Sequence, residues 1–383
     1  MNFELTEIAY KNVGTNELKK KKFYVKLLRK DLLMRLGRHF IFILQKLRIP
    51  ISWLFKSTIF VRFCGGETLL ESAPVVEKLA NSGVKSVLDY SVEAGSGVND
   101  YDSVVAEVIR SIDNAAKNPN IDFAVFKPSG IADLSKLSKF NKVDEIENKR
   151  FGDNFRKIAK EAVKHNLFLM VDAEDYEYQD IVDEWTELIM EEMNKEKVII
   201  FTTVQMYRTD RLEYIEKLFQ KAREKKFYVG IKLVRGAYLE KERELAKKHS
   251  YPSPVFDTKQ GTDDAFNAAQ KLIIDNIDIA VLFSGTHNEY SNLYLTDLMK
   301  QNSLENNDKR VYFAQLFGMA DHISMILAAE GYNVAKYVPY GKVSDVIPYM
   351  MRRIEENSSI SEQSKREIEL LSREIKRRKE KKI

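Results

Sequence analysis

Two lysines lie inside apolar runs, Lys127 in FAVFKPS and Lys232 in GIKLVRGAY. An ammonium in such surroundings is costly to bury unless a partner or ligand meets it, so both mark candidate chemistry. Together with the adjacent pair Arg352 and Arg353 they suit recognition of a carboxylate, a phosphate or an anionic cofactor, the arginines by forked contacts. Strand-end lysines also permit Schiff-base chemistry of the lyase or aldolase kind. Other chemistries find less support. Of five histidines only His287 falls at the end of a predicted strand, and no second His or Cys stands at ligand spacing, which argues against a metal site. Ser284-Gly285-Thr286 is not a nucleophile elbow, and no G-x-S-x-G occurs.

The elements that must position these residues read as eight short apolar runs, each followed by a helix-length amphipathic stretch. The runs are Val84 to Val92, Ile121 to Ser129, Asn166 to Glu174, Val198 to Tyr207, Phe227 to Tyr238, Ile279 to Asn288, Arg310 to Met319 and Asn333 to Gly341. Continuous apolar runs suit parallel strands buried on both faces, and eight of them with helical crossovers predict a (β/α)8 TIM-like barrel. A doubly wound sheet is the rival, but no G-x-G-x-x-G follows the first run. Polar residues gather at the run ends, where barrel enzymes keep their chemistry: Glu93, Lys127, Asp172, Glu174, Gln205, Arg208, Lys232, Arg235, Tyr238, Thr286-His287-Asn288, Gln315, Tyr337 and Tyr340.

Composition narrows the classes further. The 383 residues are 44% hydrophobic, too apolar for a disordered chain, and the single cysteine, Cys64, excludes an intrachain disulfide or a cysteine cluster and favours a reducing compartment. Net charge is only +4, so nucleic acid is not an expected partner. The excess charge sits at the ends. Lys19 to Lys22 begin a basic amphipathic stretch running to Arg48, and the tail from Ser364 is again basic. Either the arm packs on the domain with a solvated basic face, or it lies on an anionic membrane surface. Its apolar stretches, broken by Lys46, Arg48 and Pro50, fall short of the ~20 residues of a spanning helix, and no signal peptide is evident. The expected division is residues 1–83 as an N-terminal helical arm and lead-in, 84–358 as the barrel, and 359–383 as a basic helical tail.

The motifs D-A-E at Asp172, Q-M-Y-R at Gln205, K-L-V-R-G-A-Y-L at Lys232, T-H-N at Thr286, G-M at Gly318 and Y-M-M-R-R-I-E-E-N ending at Asn357 resemble those of the proline dehydrogenase (proline oxidase) family. The likeness runs from Phe63-Cys64-Gly65-Gly66-Glu67 to Asn357, and LDYSVE at Leu88 to Glu93 looks like the monofunctional, eukaryotic-type branch. The resemblance implies FAD held in the barrel and oxidation of L-proline to 1-pyrroline-5-carboxylate by hydride transfer to flavin N5. It places Arg352, Arg353 and Lys127 on the proline carboxylate, with Tyr349 and Leu316 closing the pocket. Lys232 then lies near flavin N5 and Asp172 beneath the flavin. Gln205, Val234, Gly236, Ala237, Tyr238, Thr286, His287, Asn288 and Glu356 fall at FAD-contacting positions. Tyr337 matches a tyrosine that is serine in members preferring hydroxyproline, so proline is expected and hydroxyproline is the alternative. Three positions depart from the pattern: Lys232 where bacterial relatives commonly carry Arg, Pro128 after Lys127 where many have Leu, and Leu239 in place of an aromatic.

Arg352 lies about two turns into the last helix, which would carry it away from the pocket in an ordinary outer helix. The family likeness implies that this helix sits over the barrel mouth instead. It also implies electrons passing to a membrane quinone, which gives the basic arm a use as a surface anchor. The chain ends soon after the arginine pair, so a separate pyrroline-5-carboxylate dehydrogenase is expected to consume the product. The expected location is cytoplasmic and peripheral, on the inner face of the plasma membrane.

Overall fold

A computed structural model describes residues 1–28, 60–91, 100–347, 349–350 and 361–381, with side chains of the last stretch from residue 365. The eight apolar runs form eight parallel strands: β1 Val84–Tyr90, β2 Phe123–Phe126, β3 Phe168–Val171, β4 Ile200–Gln205, β5 Val229–Val234, β6 Ala280–Gly285, β7 Val311–Leu316 and β8 Val334–Tyr340. They pair in chain order and β8 closes on β1, giving the expected closed barrel.

The described helices include α1 Thr6–Ala9, α2 Thr15–Leu28, α3 Leu69–Ala80, α4 Tyr101–Ala116, α5 Glu145–His165, α6 Tyr176–Met193, α7 Arg211–Lys225, α8 Leu239–His249, α9 Lys259–Asp275, α10 Glu289–Gln301, α11 Asp321–Ala329 and α12 Ser361–Glu380, with short turns at Val61–Phe63, Pro128–Gly130 and Leu134–Leu137. Side chains alternate between two cores because successive residues of a strand face opposite sides. Phe123 and Val125 point into the barrel with Met170, Phe201, Phe283 and Tyr312, whereas Ala124 and Phe126 face the helix layer. The Phe123 ring lies 4.9 Å from Phe283, 5.0 Å from Tyr312 and 5.2 Å from Phe168. Burying such a ring contributes about 2–3 kcal/mol, and this aromatic plug leaves the strands' carboxyl ends as the open face.

A smaller core joins elements above that face: Phe60, Phe63, Cys64, Met319, Val346, Tyr349 and Met350, with Leu316 against them. Residues 343–347 and 349–350 are helical, so the segment after β8 does sit over the mouth. Gly318 is required there, because its φ is +78° and an added Cβ would lie 2.0 Å from the Arg62 carbonyl.

The two ends of the chain meet. Leu370 and Leu371 are buried, and Arg378 donates to the carbonyls of Tyr10 at 2.8 Å and Val13 at 2.7 Å. Leu18 and Val25 of α2 are buried as well, and Lys21 of the basic run turns inward to pair with Asp321 at 2.9 Å. The rest of the proposed membrane-facing stretch, residues 29–59, lies outside the described residues. Among the described residues no helix is long and apolar enough to cross a membrane.

Candidate active site

Asp172, the first residue beyond β3, is the hub of the open face. Lys232 from β5 lies 2.5 Å from its Oδ1, and the Tyr337 hydroxyl from β8 donates to its Oδ2 at 2.8 Å. Lys127, just past β2, lies 3.6 Å from the same oxygen and 2.9 Å from each oxygen of Asp89. The Lys232 ammonium also stands 4.5 Å from the centre of the Tyr337 ring. Burial alone would raise the Asp172 carboxyl, but Lys232, Lys127 and the Tyr337 hydrogen bond override it and hold the group below the usual carboxylate range. Burial and the neighbouring Asp172 charge push Tyr337 well up, so it stays a phenol and a donor.

Asp89, inside the apolar run Val84 to Val92, joins this group although its position in the run carries no strand-end signal. It is 1% exposed, accepts a short hydrogen bond from Ser91, and holds Lys127 from the neighbouring strand. Its signal was available: an acid within the apolar run VLDYSV needs a buried cation.

Glu174 closes one side of the site. Its Oε1 accepts from the Ser129 N–H at 2.9 Å, next to Lys127, while its carbonyl accepts from Gln205 at 2.8 Å. Burial lifts this carboxyl to about 7, against partial relief from Ser129. The folded chain therefore holds the proton more tightly than the unfolded one, so the contribution to stability is full below about pH 4.5 and is lost as pH rises through about 7. Glu174→Gln should remove this loss, narrowing the fall in unfolding free energy between about pH 5 and 8 by on the order of 3 kcal/mol. Urea denaturation across that range measures it, and parallel wild-type and variant curves would contradict it.

Two loops form the rim. Gly236, Ala237 and Tyr238 lead into α8, and Thr286, His287 and Asn288 lead into α10, where Asn288 Oδ1 caps the Ser291 N–H at 3.1 Å. Gly236 has φ +122°, and an added Cβ would lie 2.4 Å from the Tyr207 ring. Arg235 ties the loops together, pairing with Asp263 at 2.6 Å and donating to Thr286 at 2.5 Å and Ser291 at 2.9 Å. His287 Nε2 accepts the Leu316 N–H at 3.0 Å, which leaves its proton on Nδ1.

The hub and the two rim loops line one cleft of about 370 Å³, in the range of small-molecule sites. It brings together Lys127, Asp172, Glu174, Gln205, Lys232, Val234, Arg235, Gly236, Ala237, Tyr238, Thr286, His287, Asn288, Gln315, Leu316, Tyr337 and Tyr349, and adds Asp89. Arg208 and Tyr340 do not join it. Arg208 is bound by Asp210 at 3.0 and 2.5 Å, and Tyr340 points to the helix layer, donating to Glu107 at 3.0 Å. Glu93, Arg352, Arg353 and Glu356 lie outside the described residues.

A dinucleotide with a polar planar ring fits this cleft on its own chemistry. Two helix N-termini on the rim offer backbone donors to a pyrophosphate, beside Arg235 and Lys259, which share the single carboxylate of Asp263 and so leave a net positive charge there. Lys232 and Gln205 offer polar contacts deeper in, where the buried Thr203 hydroxyl has no partner among the described residues.

Fold and site together define a barrel protein whose carboxyl-end cleft gathers cations around a buried carboxylate. The chain belongs to the proline dehydrogenase family, whose pattern residues 73–366 match. It is 35% identical over 322 residues to the carbapenem antibiotics biosynthesis protein CarD of Pectobacterium carotovorum subsp. carotovorum, covering 82% of this chain and 83% of that one. It is 31% identical over 394 residues to mitochondrial proline dehydrogenase 1 of Dictyostelium discoideum, covering 89% and 69%. Among solved structures it resembles proline utilization A (PutA) from Bdellovibrio bacteriovorus inactivated by N-propargylglycine, with a TM-score of 0.72 at 19% identity. That alignment covers 92% of this chain but only 38% of the other, and at such identity it speaks for the fold alone.

Proposed function

We propose that this chain oxidises L-proline to 1-pyrroline-5-carboxylate with FAD in the cleft. The observation that carries the reading is the Lys232–Asp172–Tyr337 hub beside Lys127 at the carboxyl ends of four strands. Lys127, with Arg352 and Arg353 from the sequence beyond the described residues, takes the proline carboxylate. Leu316, Tyr337 and Tyr349 wall the ring and exclude water. Clamping the carboxylate aims the ring carbon on the far side of the nitrogen, which loses a hydride while the amine lone pair forms the C=N bond. FAD, when bound, supplies the hydride acceptor at N5. Asp172 holds Lys232 in place where negative charge builds on that acceptor. Rim donors from Gly236–Tyr238 and Thr286–Asn288 suit its pyrophosphate.

A Schiff-base lyase is less well supported, since both candidate lysines lie within 2.9 Å of carboxylates. We further infer a quinone as the onward acceptor, a peripheral place on the inner face of the plasma membrane through the basic arm, and a separate pyrroline-5-carboxylate dehydrogenase downstream. Dye-linked turnover with L-proline tests the activity, and borohydride trapping of a carbonyl adduct on Lys127 or Lys232 would favour the lyase instead. Tyr337→Ser should shift preference toward hydroxyproline, improving its kcat/KM relative to proline by about tenfold as the smaller side chain admits the ring hydroxyl. An unchanged ratio would remove Tyr337 from the specificity wall.

A further inference from the structure

Lys336 lies on β8 between Ala335 and Tyr337, whose side chains face the barrel interior, so its own side chain enters the helix layer. It is fully buried where an apolar residue is the default. Its ammonium donates to the carbonyls of Leu316 at 3.3 Å and Met319 at 2.5 Å and pairs with Asp321 Oδ1 at 3.0 Å. The second oxygen of Asp321 accepts from Lys21 of α2 at 2.9 Å. Burial would raise the Asp321 carboxyl, but the two ammonium groups hold it far below its ordinary value.

Those contacts grip one turn. Leu316, whose side chain lines the cleft, has its N–H fixed by His287, and its carbonyl accepts from both Lys336 at 3.3 Å and the Met319 N–H at 3.2 Å. The turn beyond it contains two left-handed residues, Gly318 at φ +78° and Ala320 at φ +49°. Ala320 pays for that conformation, so surrounding contacts must hold it. Apolar replacements of buried ion pairs are often neutral or stabilising, so stability alone is a poor account of a buried Lys–Asp–Lys group. What this group supplies is a fixed position for the Leu316 wall.

We propose that Lys336 is a positioning residue for the Leu316 wall of the substrate pocket, and that Lys21, through the shared Asp321, couples helix α2 to that wall. The proposal rests on the functional reading above in taking Leu316 as a substrate contact. It makes substrate affinity responsive to how the N-terminal helix sits on the barrel.

The test uses the full-length FAD-loaded protein with Lys336→Met and, because that change leaves the Met319 carbonyl and part of a carboxylate unpaired in the interior, Lys21→Met as the milder variant. Amide hydrogen exchange over residues 316–323 is measured against β3 as an internal control. KM and kcat for proline are measured beside it, with calorimetric binding of a five-membered ring carboxylate that cannot be oxidised. The expected result for Lys336→Met is faster exchange in the turn with β3 unchanged, and KM and Kd raised about tenfold with kcat nearly kept. Lys21→Met should move the same quantities in the same direction by about threefold. If Lys336→Met does not fold, Lys21→Met decides alone. Unchanged exchange in the turn overturns the lock, and faster exchange with unchanged KM and Kd overturns the positioning role. A wild-type protein that neither oxidises proline nor binds the ring carboxylate overturns the functional reading itself, and the pocket-wall role with it.

Discussion

Asp172→Asn should lower kcat/KM for proline by about 10²-fold or more, because removing one partner of a buried charge group costs on the order of 3–5 kcal/mol. The amide keeps an acceptor for the Tyr337 hydroxyl but no charge. Lys232, 2.5 Å from the present carboxylate, and Lys127, at 3.6 Å, are then left facing each other without it. Lys127 retains Asp89, so Lys232 should move most. Stability should fall with activity at neutral pH, and the difference should shrink in strong acid. The sign follows from the depressed carboxyl of Asp172, whose contribution is present above about pH 4 and is lost as pH falls through its folded value. Steady-state kinetics with denaturation at two pH values measures both effects. A variant within about threefold of wild type would mean that the hub is not part of the chemistry.

Lys232→Met should instead strike the chemical step, lowering kcat by about 10²-fold with little change in KM, as loss of one preorganised donor to developing charge does elsewhere. The ammonium is buried, paired and stacked over Tyr337, so it cannot be replaced by water in the same place. Anaerobic single-turnover reduction of the bound flavin isolates the step. Lys232→Arg keeps the charge and should recover most of the rate, whereas equal loss in both variants would point to packing around Asp172 rather than charge. A large rise in KM with kcat intact would move Lys232 from the acceptor to the substrate carboxylate.

Much of this arrangement was legible in the chain. All eight strands fall within the apolar runs, because parallel strands buried on both faces leave no alternation to confuse with a helix. Lys127 and Lys232 were readable as costly charges in apolar surroundings, and the cleft gathers both. Less readable were pairings made by closure of the barrel. Asp89 becomes visible only when β1 lies beside β2 and brings it to Lys127. Lys336 draws no notice inside its apolar run, and only the strand's alternation, which turns it outward beneath α11, shows its partner Asp321. Lys21, inside a basic run, suggested a solvated or membrane-facing surface, yet it faces Asp321 about 300 residues away in sequence. Arg208 misled in the opposite way: its strand-end position suggested the cleft, but Asp210, two residues on, claims it locally.

The most direct test of the central claim is the visible spectrum of the purified protein, followed anaerobically as L-proline is added, with hydroxyproline as the control. A two-band flavin spectrum that bleaches with proline, and much less with hydroxyproline, is the predicted result. A protein that stays colourless after reconstitution with FAD, or a flavin spectrum untouched by proline, would contradict the account.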